Sequence, residues 1–446
     1  MISGKILLQV ALIWLAVLAG LALIIITVPG PDNTLKWSAP VNLSFPGEQA
    51  DDPQIAAGAD LTTVIWNNNN TIQTRTRFPN SKTFTIAENM STTGQNSDSA
   101  QVVIGADGTT TVVWISVNSS KRIVQARTRL PGSKTFSAAV NLSSPALNVN
   151  YPQIAIAANG TTTVVWQSGR TIQARTRQAG SESFAAEQLF TAQQTSNSRP
   201  QMRPQIAVAD NGAVTVVWVS EINNVNSIVQ ARTRPAGSET FGPVMELSSP
   251  LKSANAPQLA MAANGAAIAA WNSGDDGSNS VIEARARPAG SSVFTATEIL
   301  SNPGRYSLNP EVIITADGTA TVVWLSVNEF LSDSRLQLST RQAGSKTFSA
   351  DQTLSGTRAG ASSPQLAAAD NGATTVIWSL WKKTNNILQA RTRPAGSKTF
   401  SAVEILSGKR RSSHFPKIVA DEGALTVAWI SSTSDSSILQ TRTSIR

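Results

Sequence analysis

The hydrophobic and polar positions repeat along the chain from Trp37 to the C-terminus with a period near 50 residues. Each repeat contains an apolar run, such as TVVW or TVIW, that ends in tryptophan. The eight tryptophans, spaced 48 to 54 residues apart, are Trp66, Trp114, Trp166, Trp218, Trp271, Trp324, Trp378 and Trp429. A period of this length is typical of repeat arrays and propellers, and it predicts that the tryptophans form a repeated core.

One repeat, beginning at Pro204, contains four short strand patterns. The segment PQIAVA alternates as a strand, and DNG supplies a tight turn because Asn and Gly tolerate positive φ. The β-branched run AVTVVWVS is a second strand. After a polar loop come SIVQARTR, the turn PAGSET and FGPVMEL. Four antiparallel strands in a repeat of this length predict one blade of a propeller.

The two ends of the repeat region predict a closed ring. The segment KWSAPVNLS at 36–44 matches a fourth strand, and ILQTRTSIR at 438–446 matches a third strand. Eight independent domains would each be too small for a core without disulfides or metal, and a parallel β-helix has shorter repeats. We therefore expect an all-β, eight-bladed β-propeller of four-stranded antiparallel blades over residues 36–446. Its last blade is closed by the N-terminal strand, which hides an exposed edge; seven blades is the nearest alternative.

The first 29 residues predict a transmembrane helix that acts as an uncleaved signal anchor. Residues 6–28 carry no charge and are apolar except for Gln9 and Thr27, and they are long enough to cross a bilayer. Lys5 is the nearby charge on the short side, so that end is expected in the cytoplasm. Residues 30–35 form a linker, which places the propeller at the cell membrane, outside the cytoplasm. A cleaved signal, giving a secreted propeller, is the alternative.

The amino-acid composition argues against several kinds of functional site. The chain has no cysteine, and His414 is its one histidine, so we predict neither a disulfide framework nor a metal or cofactor site. The net charge of +8 is spread along the chain without a block of five or six like charges, which predicts no nucleic-acid partner. A mildly basic surface equally suits an anionic membrane or polymer.

Paired arginines recur in the third strand, as at Arg232 and Arg234, where alternation places both on one face of the strand. The other pairs are Arg75/Arg77, Arg127/Arg129, Arg175/Arg177, Arg285/Arg287 and Arg391/Arg393. Because the arginine pair recurs in nearly every blade, we predict that these side chains join neighbouring blades and call them inter-blade fasteners. An anion-binding belt is the alternative. The expected partners lie in the first hairpin turn: Asp60, Asp107, Asp210, Asp317, Asp370 and Asp421.

A glutamine follows the proline that opens many first strands, as in PQIA. These residues are Gln54, Gln153, Gln205, Gln258 and Gln365. We expect them to form a ladder of structural hydrogen bonds, and lining of the central channel is the alternative.

Loop variation predicts where a ligand would bind. Turns between first and second strands and between third and fourth strands are uniform, whereas second-to-third loops and blade links differ. These variable connections share one face of a propeller, here called the variable face, which is the expected recognition surface; drift in unconstrained loops is the alternative. The candidate ligand-binding residues are Trp381, Phe330, Lys382, Lys383, Tyr306 and Arg305.

The segment RPAGSKTFSAVEIL at 393–406 resembles the Asp-box (BNR) hairpin of sialidase-like propellers. Thr399 and Phe400 match its closing Thr and Trp, while Ala395 and Ser397 replace its Asp and Gly. Sialidases have six blades, an arginine triad, a Tyr/Glu nucleophile pair and an Asp acid/base, and no residue here matches that constellation. We predict a non-enzymatic binding or scaffolding module for a glycan or protein. A sialidase-like glycoside hydrolase and a purely structural surface protein are the alternatives.

Overall fold

The computed structural model describes residues 35–146, 149–181, 183–186, 188–191, 202–222, 226–275, 278–329, 333–356, 360–382, 384–408, 410–421 and 423–445. The strands form eight antiparallel sheets, one for each tryptophan repeat. The prediction of an eight-bladed propeller with four-stranded antiparallel blades is confirmed.

The first four blades have these strands. They are β3 (Ala50–Gly58), β4 (Leu61–Asn68), β5 (Thr71–Arg77) and β6 (Glu88–Asn89); β7 (Asn96–Ile104), β8 (Thr110–Asn118), β9 (Lys121–Arg129) and β10 (Val140–Asn141); β11 (Val149–Ile156), β12 (Thr162–Ser168), β13 (Thr171–Arg177) and β14 (Gln188–Thr191); β15 (Gln205–Val208), β16 (Val214–Ile222), β17 (Asn226–Arg234) and β18 (Met245–Glu246).

Blades 5 to 8 follow the same order. Their strands are β19 (Ser253–Met261), β20 (Ala267–Asp275), β21 (Ser278–Arg287) and β22 (Glu298–Ile299); β23 (Tyr306–Ile314), β24 (Ala320–Val327), β25 (Ser334–Arg341) and β26 (Gln352–Thr353); β27 (Ala361–Ala368), β28 (Thr374–Lys382), β29 (Asn385–Arg393) and β30 (Glu404–Ile405); β31 (Ser412–Asp421), β32 (Ala424–Ser432) and β33 (Ser437–Ile445).

The ring closes where the ends of the chain meet. The last strand, β33, pairs with two short N-terminal strands, β1 (Lys36–Trp37) and β2 (Val41–Asn42). Together these two strands supply the outer strand of blade 8, as the offset of the repeats predicts. The first strands of neighbouring blades pack against one another, so they lie innermost around the central channel.

The tryptophans form the core between blades. All eight repeat tryptophans have no accessible surface, which confirms their predicted role. In one cluster, Val113 and Val124 of blade 2 pack with Trp166 of blade 3. Because each blade covers its neighbour in this way, no blade needs a core of its own.

In five of the six pairs the second arginine is a fastener that reaches the preceding blade. Arg177 is the exception, because it donates within its own blade, to the Ser181 carbonyl at 3.0 Å and to the Thr162 hydroxyl at 2.9 Å. Arg129 of blade 2 donates to Thr76 and Thr63 of blade 1 at 2.8 and 3.4 Å, and to its own Thr110 at 2.8 Å. Its guanidinium also lies 5.0 Å from the ring centroids of both Phe78 and Phe136. Hydrogen bonds to a threonine hydroxyl of the preceding blade are also donated by Arg77, Arg234, Arg287 and Arg393. These contacts support the inter-blade role and disfavour an exposed anion belt.

The expected pairing of these arginines with turn aspartates is seen only as a longer-range charge effect. Loss of hydration lowers the pKa of Arg77, Arg177 and Arg393, and the charges of Asp421, Asp107 and Asp317, in that order, oppose the shift. The guanidinium groups hydrogen-bond to threonine hydroxyls, and two of the turn carboxylates, Asp107 and Asp317, accept hydrogen bonds within their own turns. Asp107 accepts from the backbone N–H and the hydroxyl of Thr109, both at 2.8 Å. Asp317 likewise accepts from Thr315 and Thr319, and the Thr315 hydrogen bond holds the pKa of that carboxyl below its usual value.

The predicted membrane anchor at 1–29 and nearly all of the linker at 30–35 lie outside the described residues. In the part of the chain that the structure describes, no helix has the length and hydropathy of a membrane span.

Candidate binding site at the mouth of the channel

Every first strand carries a strained residue near its start, on the variable face. This residue has a left-handed backbone with φ between 42° and 54° and sits in or just before the strand, next to a Pro or Ala. In seven blades the strand register shifts at this point, as between Asp51 and Gln54 of blade 1. The eight mouth residues are Asp52, Ser99, Tyr151, Arg203, Ala256, Asn309, Ser363 and Phe415. Left-handed residues other than glycine are uncommon, and they gather at functional sites.

The mouth residues share a backbone conformation but differ in chemistry. Acidic, basic, aromatic, amide, hydroxyl and methyl side chains occupy the same position of the repeat. The buried tryptophan, by contrast, is the same in every blade. The left-handed backbone position is therefore the same in every blade, whereas its side chain differs. A ring of similar blades in this way forms a channel mouth with a different side chain at almost every position.

A second tier lies two residues farther along each first strand. Six blades place glutamine there: Gln54, Gln101, Gln153, Gln205, Gln258 and Gln365. Blades 6 and 8 place Glu311 and Lys417 instead. Gln365 lines the channel and donates to Glu311 Oε1 at 3.2 Å and to the Pro364 carbonyl at 2.8 Å. The expected ladder is thus seen only in part, and the alternative of channel lining holds for Gln205, Gln258 and Gln365.

The two tiers enclose a cavity of about 360 Å³ at the channel mouth. Its walls come from blade 1 and blades 4 to 8, and six of the eight mouth residues line it. This volume lies within the range of small-molecule sites, which is roughly 300–1,000 Å³. On the adjoining wall, the Arg203 guanidinium lies 5.7 Å from the ring centroid of Tyr151. Charged, amide and aromatic groups thus converge in one cavity.

Glu311 and Lys417 are the departures from the glutamine tier, and they interact. Loss of hydration raises the pKa of Glu311 to about 7, against the opposing effects of the Lys417 charge and the Gln365 hydrogen bond. Loss of hydration also raises the pKa of Asp52, and the Lys417 charge again opposes this shift. The Lys417 ammonium group therefore interacts with the carboxyl groups of both Glu311 and Asp52. With a pKa of about 7, Glu311 can hold or release a proton near neutral pH.

Two of the candidate loop residues lie on the hairpin between β28 and β29 of blade 7. The Trp381 side chain is 54% exposed, and its backbone N–H donates to the Gly360 carbonyl at 3.0 Å. Lys382 is exposed beside it. Neither lines the channel cavity. Phe330 and Lys383 lie outside the described residues, and ligand binding by any of these four stays a prediction.

Arg305 and Tyr306 have structural contacts at the start of blade 6. Arg305 donates to Ser326 Oγ at 2.9 Å and to the Asp333 carbonyl at 2.8 Å, and it forms an ion pair with the Asp333 carboxylate at 3.3 Å. Tyr306 is partly buried against the cluster of blades 6 and 7 that contains Trp378. These contacts anchor the loop, and a role in binding stays a prediction.

The sequence contains a signal for the mouth residues that loop comparison overlooks. In five repeats they precede Pro-Gln, and in the other three they precede Ala-Gln, Pro-Glu or Pro-Lys, while the mouth position itself holds seven different residue types in eight repeats. Aligning the eight repeats and comparing variation within strands would have found them. Within the described ranges, no group of three or more His, Asp or Glu side chains could hold a metal ion.

Comparison with known proteins shows the fold. No family model and no curated protein matches the chain. The Dos1 propeller is similar with a TM-score of 0.55 and 8% identity, over 92% of this chain and 95% of that one. The polysaccharide lyase Uly1 is similar with a TM-score of 0.51 and 9% identity, over 75% and 88%. A Hadza microbial sialidase has a TM-score of 0.33 and 8% identity, over 64% and 77%, which is too low to support the Asp-box resemblance. At these identities the similarity is one of propeller fold alone.

Proposed function

We propose that this propeller is a carbohydrate-binding module whose ligand enters the channel mouth. The observation that carries the proposal is the set of eight equally strained positions presenting different side chains, six of them into one cavity. Amide groups can both donate hydrogen bonds to sugar hydroxyls and accept hydrogen bonds from them, and ionised carboxyl groups can accept from them. An exposed aromatic ring, Phe415, offers an apolar face for the C–H side of a sugar.

Gln258 allows a matched test of this proposal. Gln258→Ala removes a cavity-lining amide and should weaken binding about fivefold, because an uncharged hydrogen bond contributes about 1 kcal/mol. Gln101→Ala changes the same repeat position in blade 2, away from the cavity lining, and should leave binding unchanged. The ligand is first selected on a glycan array, and affinities are then measured by titration calorimetry.

Two results would count against a carbohydrate site at the mouth. Equal losses in the two glutamine variants would show that the cavity has no special role. A partner captured by the wild-type protein and not displaced by any free sugar would instead identify a protein ligand on the variable face.

The apolar N-terminal segment supports a further part of the proposal, namely that the propeller is held at the cell membrane outside the cytoplasm. Residues 6–28 are long and apolar enough for a span. Digestion of intact cells with an added protease should remove the propeller while cytoplasmic markers survive. Full protection of the propeller would contradict this location.

A glycoside hydrolase is the second candidate, and Glu311 is the observation that favours it. A carboxyl group with a pKa of about 7 is suited to donate a proton to a leaving oxygen at neutral pH. Asp52, in the same cavity, is the partner carboxyl that such a reaction would require. Turnover of a glycoside panel that disappears in Glu311→Gln would favour this candidate over binding alone.

A further inference from the structure

A second cleft lies beside the channel cavity, at the seam between blade 8 and blade 1. It has a volume of about 440 Å³ and also opens on the variable face. The residues that line this seam cleft include Asp51, Asn67, Asn69, Asn70, His414 and Phe415. Phe415 is the residue that this cleft shares with the channel cavity.

Phe415 is held at the junction under backbone strain. Its φ is 49°, and a bulky residue with positive φ is a true outlier. Its side chain is nevertheless 53% exposed, so burial of the ring does not compensate for the strain. A strained aromatic residue that stays in solvent between two cavities is better explained by a ligand that packs on it than by the core.

The seam cleft presents groups that suit hydroxyls. Asn386 Nδ2 lies 3.2 Å from His414 Nδ1, and because the amide donates, Nδ1 accepts and the ring proton is placed on Nε2. Loss of hydration lowers the pKa of His414, so the neutral ring, with one donor left, is favoured. This imidazole therefore adds a hydrogen-bond donor to the cleft without adding a charge.

The loop of blade 1 adds amides on the other side of the cleft. Asn67 is fixed as a brace, because it donates to the Ser97 carbonyl at 2.8 Å and accepts from the Asn70 backbone N–H at 2.8 Å. Asn69 and Asn70 form the tight turn above it with φ of 49° and 64°. The brace holds two exposed asparagines at the rim of the cleft.

We infer that the channel cavity and the seam cleft are two subsites of one site, which binds a linear oligosaccharide that crosses Phe415. This inference rests on the proposed carbohydrate function and adds that the ligand is a chain of several sugar units. The amides of the seam cleft donate and accept, the imidazole donates and the Asp51 carboxylate accepts, and this mixture suits the many hydroxyls of a sugar chain better than the two charged ends of a peptide. An extended peptide is the alternative that the test below separates.

The test uses chain length as its variable. Cello-, chito- and manno-oligosaccharides of one to six units are titrated against the propeller by calorimetry. Affinity in the recognised series should rise about tenfold once the ligand is long enough to pass Phe415. Phe415→Asn, which removes the ring and tolerates positive φ, should abolish that rise, while Phe415→Tyr should keep it.

Controls separate this inference from the proposed function. Phe45→Ala removes an exposed ring outside both cavities and should have no effect. Affinity that does not depend on length, or that is unchanged in Phe415→Asn, overturns the two-subsite inference even if Gln258→Ala still weakens binding. Binding that ignores both Phe415 and Gln258 overturns the proposed function as well. Absence of binding by all three series, or displacement by peptides alone, overturns the oligosaccharide ligand.

Discussion

Arg129→Met should lower the free energy of unfolding by about 3 kcal/mol, although Met keeps an apolar stem of similar length. The Arg129 side chain is 2% exposed, and it donates to Thr76, Thr63 and Thr110. Hydrogen bonds from a charged donor contribute about 1.5–3 kcal/mol each, and the loss is limited by the hydration that the guanidinium gives up on folding. Urea unfolding monitored by tryptophan fluorescence measures the change.

Arg127 supplies the matched control two residues earlier on the same strand. It is half-buried, and its hydrogen bond to the Asn89 carbonyl is 3.3 Å long. Arg127→Met should therefore cost less than 1 kcal/mol. A double-mutant cycle of Arg129→Met with Thr76→Val should give a coupling energy of about 1 kcal/mol or more. Equal costs for the two arginines, or no coupling to Thr76, would contradict the fastener role.

The fastener is absent where its acceptors are absent or its donor turns away. Blade 5 has Ile268 and Ala286 in place of the paired threonines, and Arg341 of blade 6 turns to the carbonyl of Ser345 in its own blade. Arg177 of blade 3 also turns to a carbonyl of its own blade, that of Ser181, although blade 2 has the threonine pair. In blade 8, Ser444 stands where the second arginine would be. Arginine and threonine pair thus occur together across most interfaces, which is what a contact between blades requires.

The propeller could be predicted because its signals are local and repeated. Each repeat tryptophan marks the second strand of one blade. The repeat region begins with a fourth-strand pattern and ends with a third-strand pattern, and this offset predicts how the ring closes. The partners of the arginines could not be predicted, since the sequence does not show that Asp107 spends both carboxylate oxygens on Thr109. That choice depends on turn geometry, which is decided by three-dimensional contacts.

The candidate site was harder to predict than the fold. Loop length and exposed aromatic residues directed attention to Trp381 and its neighbours, whereas the cavity is built from strand positions near the channel. Nothing in the composition of the segment Phe415-Pro416 indicates a left-handed backbone, because a residue before proline usually adopts an extended one. The pairing of Glu311 with Lys417 is also invisible in sequence, since 106 positions and one whole blade separate them.

Glu311→Gln should stabilise the protein at pH 8 by up to about 3 kcal/mol and have little effect at pH 4. The pKa of Glu311 is about 7 in the folded protein and about 4.5 without the fold, so between these values the folded state holds a proton that the unfolded state has lost. Stability from this group therefore falls as pH rises from 4.5 to 7, and it stays low above 7. Glutamine cannot ionise, so the variant escapes that loss.

Urea unfolding of wild type and variant across pH 4 to 8 measures this difference, in which the titration of all other groups largely cancels. Glu239→Gln, at an exposed turn, is the control and should follow wild type at every pH. A constant difference across the range would mean that Glu311 is ionised throughout and that Lys417 already compensates for its burial. A difference that opens between pH 4.5 and 7 would show a neutral carboxyl group in the channel, able to donate a hydrogen bond to a ligand at mildly acidic pH and to accept one above pH 7. Ligand affinity would then change near pH 7, where Glu311 of the folded protein titrates, because the unfolded state takes no part in binding.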